Sequence, residues 1–194
     1  MERKIIDDYF ALLKNALDGV SREELISIAG VIRDAGDRHS AIYICGNGGS
    51  AAMASHMACD LGKGASYGFA RRYNAFALSD NSSTLLAYAN DVSYDDIFIE
   101  QLKNALKPGD LVIGISGSGN SPNILRAVEY ANAHGGITIG ITGYPTGRLQ
   151  KISMHNVSLN IDNMQIAEDL HLILNHNLVN LLVAGAKEKA AQPK

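Results

Sequence analysis

Cysteine is nearly absent from this sequence: among 194 residues only Cys45 and Cys59 occur, and they are not spaced as a CxxC pair. That excludes a disulfide framework and fits a reducing compartment. Charge of one sign is also scarce, since 17 basic and 20 acidic residues leave a formal net charge of -3. No run of five or six like charges occurs, so the footprint of a nucleic-acid or anionic-membrane binder is missing. No apolar stretch reaches the length of a membrane span, and the first residues, MERKIIDDYF, interrupt the apolar run that a secretory leader requires. A cytoplasmic protein is expected. The Walker pattern GxxxxGK[ST] is missing and neither glycine-rich turn reads GxGxxG, which argues against a bound triphosphate or dinucleotide.

What is present fits one compact domain: 46% hydrophobic and 19% charged residues in a 20.7 kDa chain. Its expected parts are an N-terminal helical pair over residues 1–37, a sheet core over 38–163 and a closing helix over 164–187. Apolar residues from Ile5 to Leu17 recur at helical spacing. Ser21 followed by Glu24 has the form of a capping box, opening a second helix that runs to about Gly36. The short apolar run Ala41–Cys45 then reads as a strand, stopped by Gly46-Asn-Gly-Gly-Ser50 and followed by a helix to Leu61. The same grammar returns at Asp110–Ile115, Ser116-Gly-Ser-Gly-Asn-Ser121 and a helix from Pro122 to His134, with proline at the first helical position.

Further strands are expected at Ala75–Leu78, Ile137–Thr142 and Asn156–Ile161, and helices at Thr84–Asn90 and Asp95–Leu106. Strands alternating with helices of this length specify an α/β fold with a parallel sheet covered on both faces. The closing helix carries more Leu and Ile than one face of a small sheet needs. With the first helix, it suggests subunit association through terminal helices. The tail from Ala190 to Lys194 reads as disordered.

The two serine-rich turns carry the chemistry. Each follows a buried strand and precedes a helix N-terminus, where free amides and the positive end of the helix dipole favour an anion. Gly46, Gly48, Gly49 and Gly117 permit close approach, and Ser50, Ser116, Ser118 and Ser121 can donate hydroxyls, with no Lys or Arg in either turn. This composition suits a monophosphate. Asn47 and Asn120 are further substrate-binding candidates, although both residues also suit turn formation.

His56 and Asp60, four apart on one helix, share a face; Glu168 and His176 lie eight apart on another, about two turns. Two histidines and two carboxylates form a donor set for Zn²⁺ or another divalent ion. His171 falls on a different face from His176 and is set aside. Cys45 reads as core packing, Cys59 as a thiol within the helix core, and Arg71–Tyr73 as a solvated connector.

Cys45–Ser50 and Ile115–Ser121 resemble the two phosphate loops of the sugar isomerase (SIS) domain family. The two leading helices, Asn90-Asp91 and the closing helix with Glu168, His171 and His176 resemble its phosphoheptose isomerase branch. The resemblance implies a flavodoxin-like three-layer αβα sandwich, a homotetramer with active sites shared between subunits, and ketose–aldose isomerisation of sedoheptulose 7-phosphate. It also implies that Asn90 and Asp91 line the sugar pocket. The positions of His56, Asp60, Glu168 and His176 correspond to the family's metal ligands, the second and fourth with acid/base roles.

Two positions depart from the family pattern, with Asp60 in place of Glu and Glu168 in place of Gln. The shorter Asp60 withdraws its carboxylate by about 1.5 Å, one C–C bond, while Glu168 brings an added negative charge. Either Glu168 or Asp60 is thus the candidate base, with His176 in the other acid/base role. Other members of the superfamily sense phosphosugars without converting them, and one branch is an adaptor for a replication initiator. An isomerase acting on a different phosphosugar is the remaining alternative.

Overall fold

The computed structural model describes residues 1–191. α1 (Glu2–Asp18) and α2 (Arg22–Asp37) lead into β1 (Ala41–Gly46), α3 (Gly49–Cys59) and a π-helical turn at Asp60–Gly64. Next come β2 (Asn74–Ala77), α4 (Ser82–Asp91), a 3-10 turn at Tyr94–Asp96, α5 (Ile99–Ala105) and β3 (Leu111–Ser116). α6 (Pro122–Ala133), β4 (Ile137–Thr142), α7 (Arg148–Ile152), β5 (His155–Ser158) and α8 (Met164–Ala191) complete the order.

The five strands described form one parallel sheet in the order β2-β1-β3-β4-β5. Alternation along the strands sorts their side chains into two cores. Ile42, Ile44, Leu111, Ile113, Ile115, Ile139 and Ile141 face α2, α3 and α8, whereas Tyr43, Cys45 and Val112 face α5, α6 and α7. These are the three layers expected. Burial pushes the Cys45 thiol up to about 12, so it remains a protonated packing group.

On the second face, Cys45, Gly114 and Gly140 sit side by side in register. A Cβ at Gly114 would lie 2.9 Å from Ile124 Cγ2 and 3.1 Å from Val128 Cγ2, so its absence lets α6 close on the sheet.

Ser21 caps α2 by accepting a hydrogen bond from the Glu24 amide at 3.2 Å. Several boundaries and environments differ from the sequence reading. The helix expected to reach Leu61 gives way at Asp60 to the π turn, closed by Ala65 N–H donating to the Asp60 carbonyl at 2.8 Å. The expected Asp95–Leu106 helix is divided into the 3-10 turn and α5, and the short α7 is an addition. Cys59 is exposed rather than in the helix core.

The Arg71–Tyr73 connector is solvated at Arg72 but packed at Arg71 and Tyr73. The Arg71 guanidinium forks onto the Asp37 carboxylate at 2.8 and 2.7 Å, and Tyr73 is buried. That Arg71 contact is the leading influence holding the Asp37 carboxyl below its ordinary range. α8 extends to Ala191, so Ala190 and Ala191 of the expected disordered tail are helical, and residues 192–194 lie outside the described residues. No helix among the described residues is long and apolar enough to cross a membrane.

Candidate active site

In this strand order β1 and β3 are neighbours whose following connections leave on opposite faces, which opens a crevice beyond their carboxyl ends. Both serine turns lie there. Asn47, Gly48, Gly49 and Ser50 from the first turn and Ser116, Gly117, Ser118 and Ser121 from the second line one cleft of about 260 Å³, which Met164 and Glu168 of α8 also border. Gly48 has φ +54° and ψ -121°, a conformation essentially reserved for glycine, and directs the chain from β1 into α3. Neither N-cap residue, Gly48 of α3 or Ser121 of α6, makes a side-chain capping bond, although Asn123 Oδ1 accepts from the Ile124 amide at 2.9 Å. Their dipoles therefore face the cleft without competition from an Asp or Ser cap.

The hydroxyls are pre-grouped. Ser116 Oγ lies 3.1 Å from Ser121 Oγ and 3.4 Å from Ser118 Oγ, and it also accepts from the Gly119 amide at 3.1 Å. Asn47 exchanges two side-chain hydrogen bonds with Asn123, at 2.9 and 3.0 Å, and its Oδ1 accepts from Tyr94 Oη at 3.1 Å. The amide thus ties the first serine turn to the start of α6. Sequence reasoning does not single out Asn123 or Tyr94. Asn123, immediately after the proline opening a helix beside the second turn, is the more legible of the two.

Asn120 is used by its own turn, donating to the Ser118 carbonyl at 3.0 Å and accepting from the Arg148 amide at 3.0 Å; it is exposed and does not border the cleft. Turn formation accounts for it. Asn90 and Asp91 are exposed at the end of α4 and bond each other at 2.7 Å; they too are absent from the cleft lining within this chain.

About two turns along α3 from the cradle, three donors converge. His56 Nε2 lies 3.1 Å from His176 Nε2 and 3.2 Å from Asp60 Oδ2, and His176 Nε2 is 3.9 Å from the same oxygen. A tetrahedral ion with bonds of about 2.0–2.1 Å separates neighbouring ligand atoms by about 3.3 Å. The donor set and spacing therefore fit a divalent metal ion. The two helices whose meeting the sequence leaves open do meet.

Glu168 stands apart from this trio. Its carboxylate packs over the first residue of α3: a Cβ built on Gly49 would sit 2.3 Å from Oε1 and 2.6 Å from Oε2. It faces the serine-lined cleft, one end of a site whose other end is the His56–Asp60–His176 group.

Two residues of α8 beside the site point inward. His171 is buried, and loss of hydration pushes its imidazole down to about 4, against a weaker opposing influence from the Thr142 backbone. It remains a neutral core residue, as its helical phase implies. Asn175, also fully buried, donates from Nδ2 to Asp60 Oδ2 at 2.7 Å. Sequence reasoning passes over it because one polar residue in an apolar helical stripe reads as filler.

Known proteins resemble this chain in sequence and in fold. The SIS domain sequence family matches residues 8–143. A phosphoheptose isomerase from Akkermansia muciniphila is 33% identical over 180 residues, covering 92% of this chain and 90% of the relative. Another from Aquifex aeolicus is 33% identical over 172 residues, covering 89% and 90%. The solved structure of a phosphoheptose isomerase from Neisseria gonorrhoeae superposes with a TM-score of 0.87 at 25% identity, covering 95% of this chain and all of that one. With the two serine turns at the switch point of a 2-1-3-4-5 sheet and relatives that match nearly end to end, the chain belongs to the SIS domain family, in its phosphoheptose isomerase branch.

Proposed function

We propose that this protein is an aldose–ketose isomerase that converts sedoheptulose 7-phosphate to the corresponding aldoheptose 7-phosphate. The observation that carries this reading is the two-ended site: a carboxylate, Glu168, bordering the same cleft as the serine cradle, with the His56–Asp60–His176 group further along α3. Relatives bearing this activity in their names support the reaction class.

The isomerisation moves a proton between adjacent carbons through an enediolate, so it needs a base, an acid and a means of stabilising oxyanion charge. The phosphate is held by Ser50, Ser116, Ser118 and Ser121 with the N-terminal amides of α3 and the positive dipole end of α6, and this remote binding energy fixes the reacting carbons. Glu168, one methylene longer than Asp60 and directed into the cleft, takes the carbon-bound proton. His176 exchanges protons with the sugar oxygens. Asp60, drawn toward α8 by Asn175, acts mainly as a ligand beside His56 and His176. A divalent ion, Zn²⁺ by the nitrogen-rich donor set, supplies Lewis-acid polarisation of the carbonyl and hydroxyl oxygens when bound. Glu168, expected in the ligand set as well, lies over Gly49 outside the converging trio and is assigned here to proton transfer.

A homotetramer with shared sites fits the surface of the chain. α1 buries none of its residues and leaves Ile5, Ile6 and Phe10 exposed, while the His56 and His176 side chains are about half exposed, open to completion by a neighbouring subunit. Asn90 and Asp91, outside the cleft of their own chain, would contribute to the sugar pocket in that assembly.

The test is solvent exchange. In deuterated buffer, the zinc-loaded protein should place deuterium on a carbon of sedoheptulose 7-phosphate and release the aldose, with hexulose and pentulose phosphates turned over more slowly. Thermal stabilisation by a phosphosugar with no carbon-bound deuterium would identify a sensor or adaptor instead.

A further inference from the structure

A fully buried amide belongs to α8 at a position where the fold does not need one. Asn175 is 0% exposed and lies on the side of α8 that carries His171, Leu178 and Leu182, all buried. Its Oδ1 has no hydrogen-bond partner among the described residues. An apolar side chain of similar volume would avoid the cost of burying an amide that is only half satisfied. The asparagine makes one polar side-chain contact there: Nδ2 lies 2.7 Å from Asp60 Oδ2. The amide orientation follows from the partner, because an ionised carboxylate only accepts and the flipped amide would oppose two oxygens.

Oδ2 is also the Asp60 oxygen that faces His56 Nε2 at 3.2 Å and His176 Nε2 at 3.9 Å. Asp60 itself begins the π turn, at the point where α3 loses its regular phase. A short carboxylate at such a junction has little of its own helix to lean on. Its one hydrogen bond from a buried side chain comes from the opposite helix, α8.

We infer that Asn175 is a positioning residue: it holds the Asp60 carboxylate in the His56–Asp60–His176 donor group and sets the metal affinity of a site built with Asp. The inference rests on the metal reading proposed above. It assigns the buried amide of α8 to the orientation of a ligand, a role in which outer partners typically govern affinity by about 10–100-fold. Because Asn175 touches the ligand and not the ion, its loss lowers affinity without removing a donor atom.

Zinc titration of the metal-stripped full-length protein, in competition with a chelator, tests this. Asn175→Leu should weaken Zn²⁺ binding by about 10–100-fold while the metal-free melting temperature stays level or rises. Asn175→Ala, which leaves a space in place of a strained packing contact, should show the same loss of affinity. The rescue is Asp60→Glu combined with Asn175→Leu. The longer carboxylate reaches the histidines without the tether, so Asn175→Leu should cost far less in the Asp60→Glu background. A structural role alone predicts the reverse pattern, a lower metal-free melting temperature with unchanged affinity, and would overturn the inference. Equal losses in both backgrounds would also overturn it. Native protein that binds no Zn²⁺ would defeat the metal reading and the inference together; native binding with no loss in the variants would defeat the inference alone.

Discussion

Gly49→Ala separates folding from chemistry more cleanly than removal of any site residue. Gly49 is the first residue of α3 and its φ is not in the left-handed region, so alanine is compatible with the backbone and gains up to about 1 kcal/mol in helix propensity. The new Cβ, however, would fall 2.3, 2.5 and 2.6 Å from Glu168 Oε1, Cδ and Oε2. Ordinary contact begins near 3.5 Å, so the carboxylate must withdraw by about 1 Å. Glu168 is only partly buried and its side chain ends in the cleft, which makes that withdrawal cheap for the fold. It is expensive for catalysis. A displacement of this size costs on the order of 100-fold in rate, equivalent to about 2.7 kcal/mol of barrier.

Differential scanning fluorimetry should therefore give a melting temperature at or above native, while steady-state assays on sedoheptulose 7-phosphate show kcat reduced on the order of 100-fold. KM separates displacement of Glu168 from obstruction of the phosphate: the first lowers kcat, the second raises KM and weakens inorganic phosphate binding. In a Glu168→Ala background the Gly49 change should add almost nothing. Native kcat in Gly49→Ala, or equal further losses in the two backgrounds, would refute the placement of Glu168 as the base.

His171 gives a pH signature: its folded value of about 4 lies below the ordinary 6.5, so the unfolded chain binds more protons between these values and stability declines as pH falls through that window. Denaturant titrations of metal-free native protein and His171→Leu should diverge below about pH 6.5, by up to about 3 kcal/mol near pH 4; parallel curves would count against a buried neutral imidazole. Gly114→Val should be destabilising through overpacking against Ile124 and Val128, by about 1–3 kcal/mol or more, with a lower denaturation midpoint. Light scattering should report about four chains per particle, and Phe10→Asp with Ile6→Asp on the exposed face of α1 should reduce that mass and the activity together; native activity in a monomer would remove the case for shared sites.

Much of this architecture is legible in the sequence because its signals are local. β4 occupies Ile137–Thr142, the span its apolar run defines, and Ser21 caps α2 where the pattern puts it. The serine turns are readable for the same reason: a strand, a glycine-rich stop and a helix start are adjacent in the chain. What the sequence does not reveal depends on contacts made across the fold. The π turn from Asp60 contains Gly62 and Gly64, residues that loosen helical phase without specifying what replaces it. α7 has five residues, too few for a period to register. Cys59 and Tyr73 exchange their expected environments because burial is decided by neighbours distant in sequence. Spacing alone places His56 with Asp60, whereas the approach of His176 and the tether from Asn175 require α8 to lie across α3.

The assignment of cradle and chemistry to different elements has an evolutionary consequence. The serine turns are anchored at the ends of β1 and β3, deep in the sheet, whereas Glu168, Asn175 and His176 all ride on α8. On the proposed reading, substitutions at these positions of α8 would alter proton transfer while leaving the serine turns of the sheet in place. A lineage of such proteins can thus trade turnover for signalling, or recover it, through a handful of mutations that leave the sheet untouched, and the identity of residues 168, 175 and 176 becomes the place to look for that divergence.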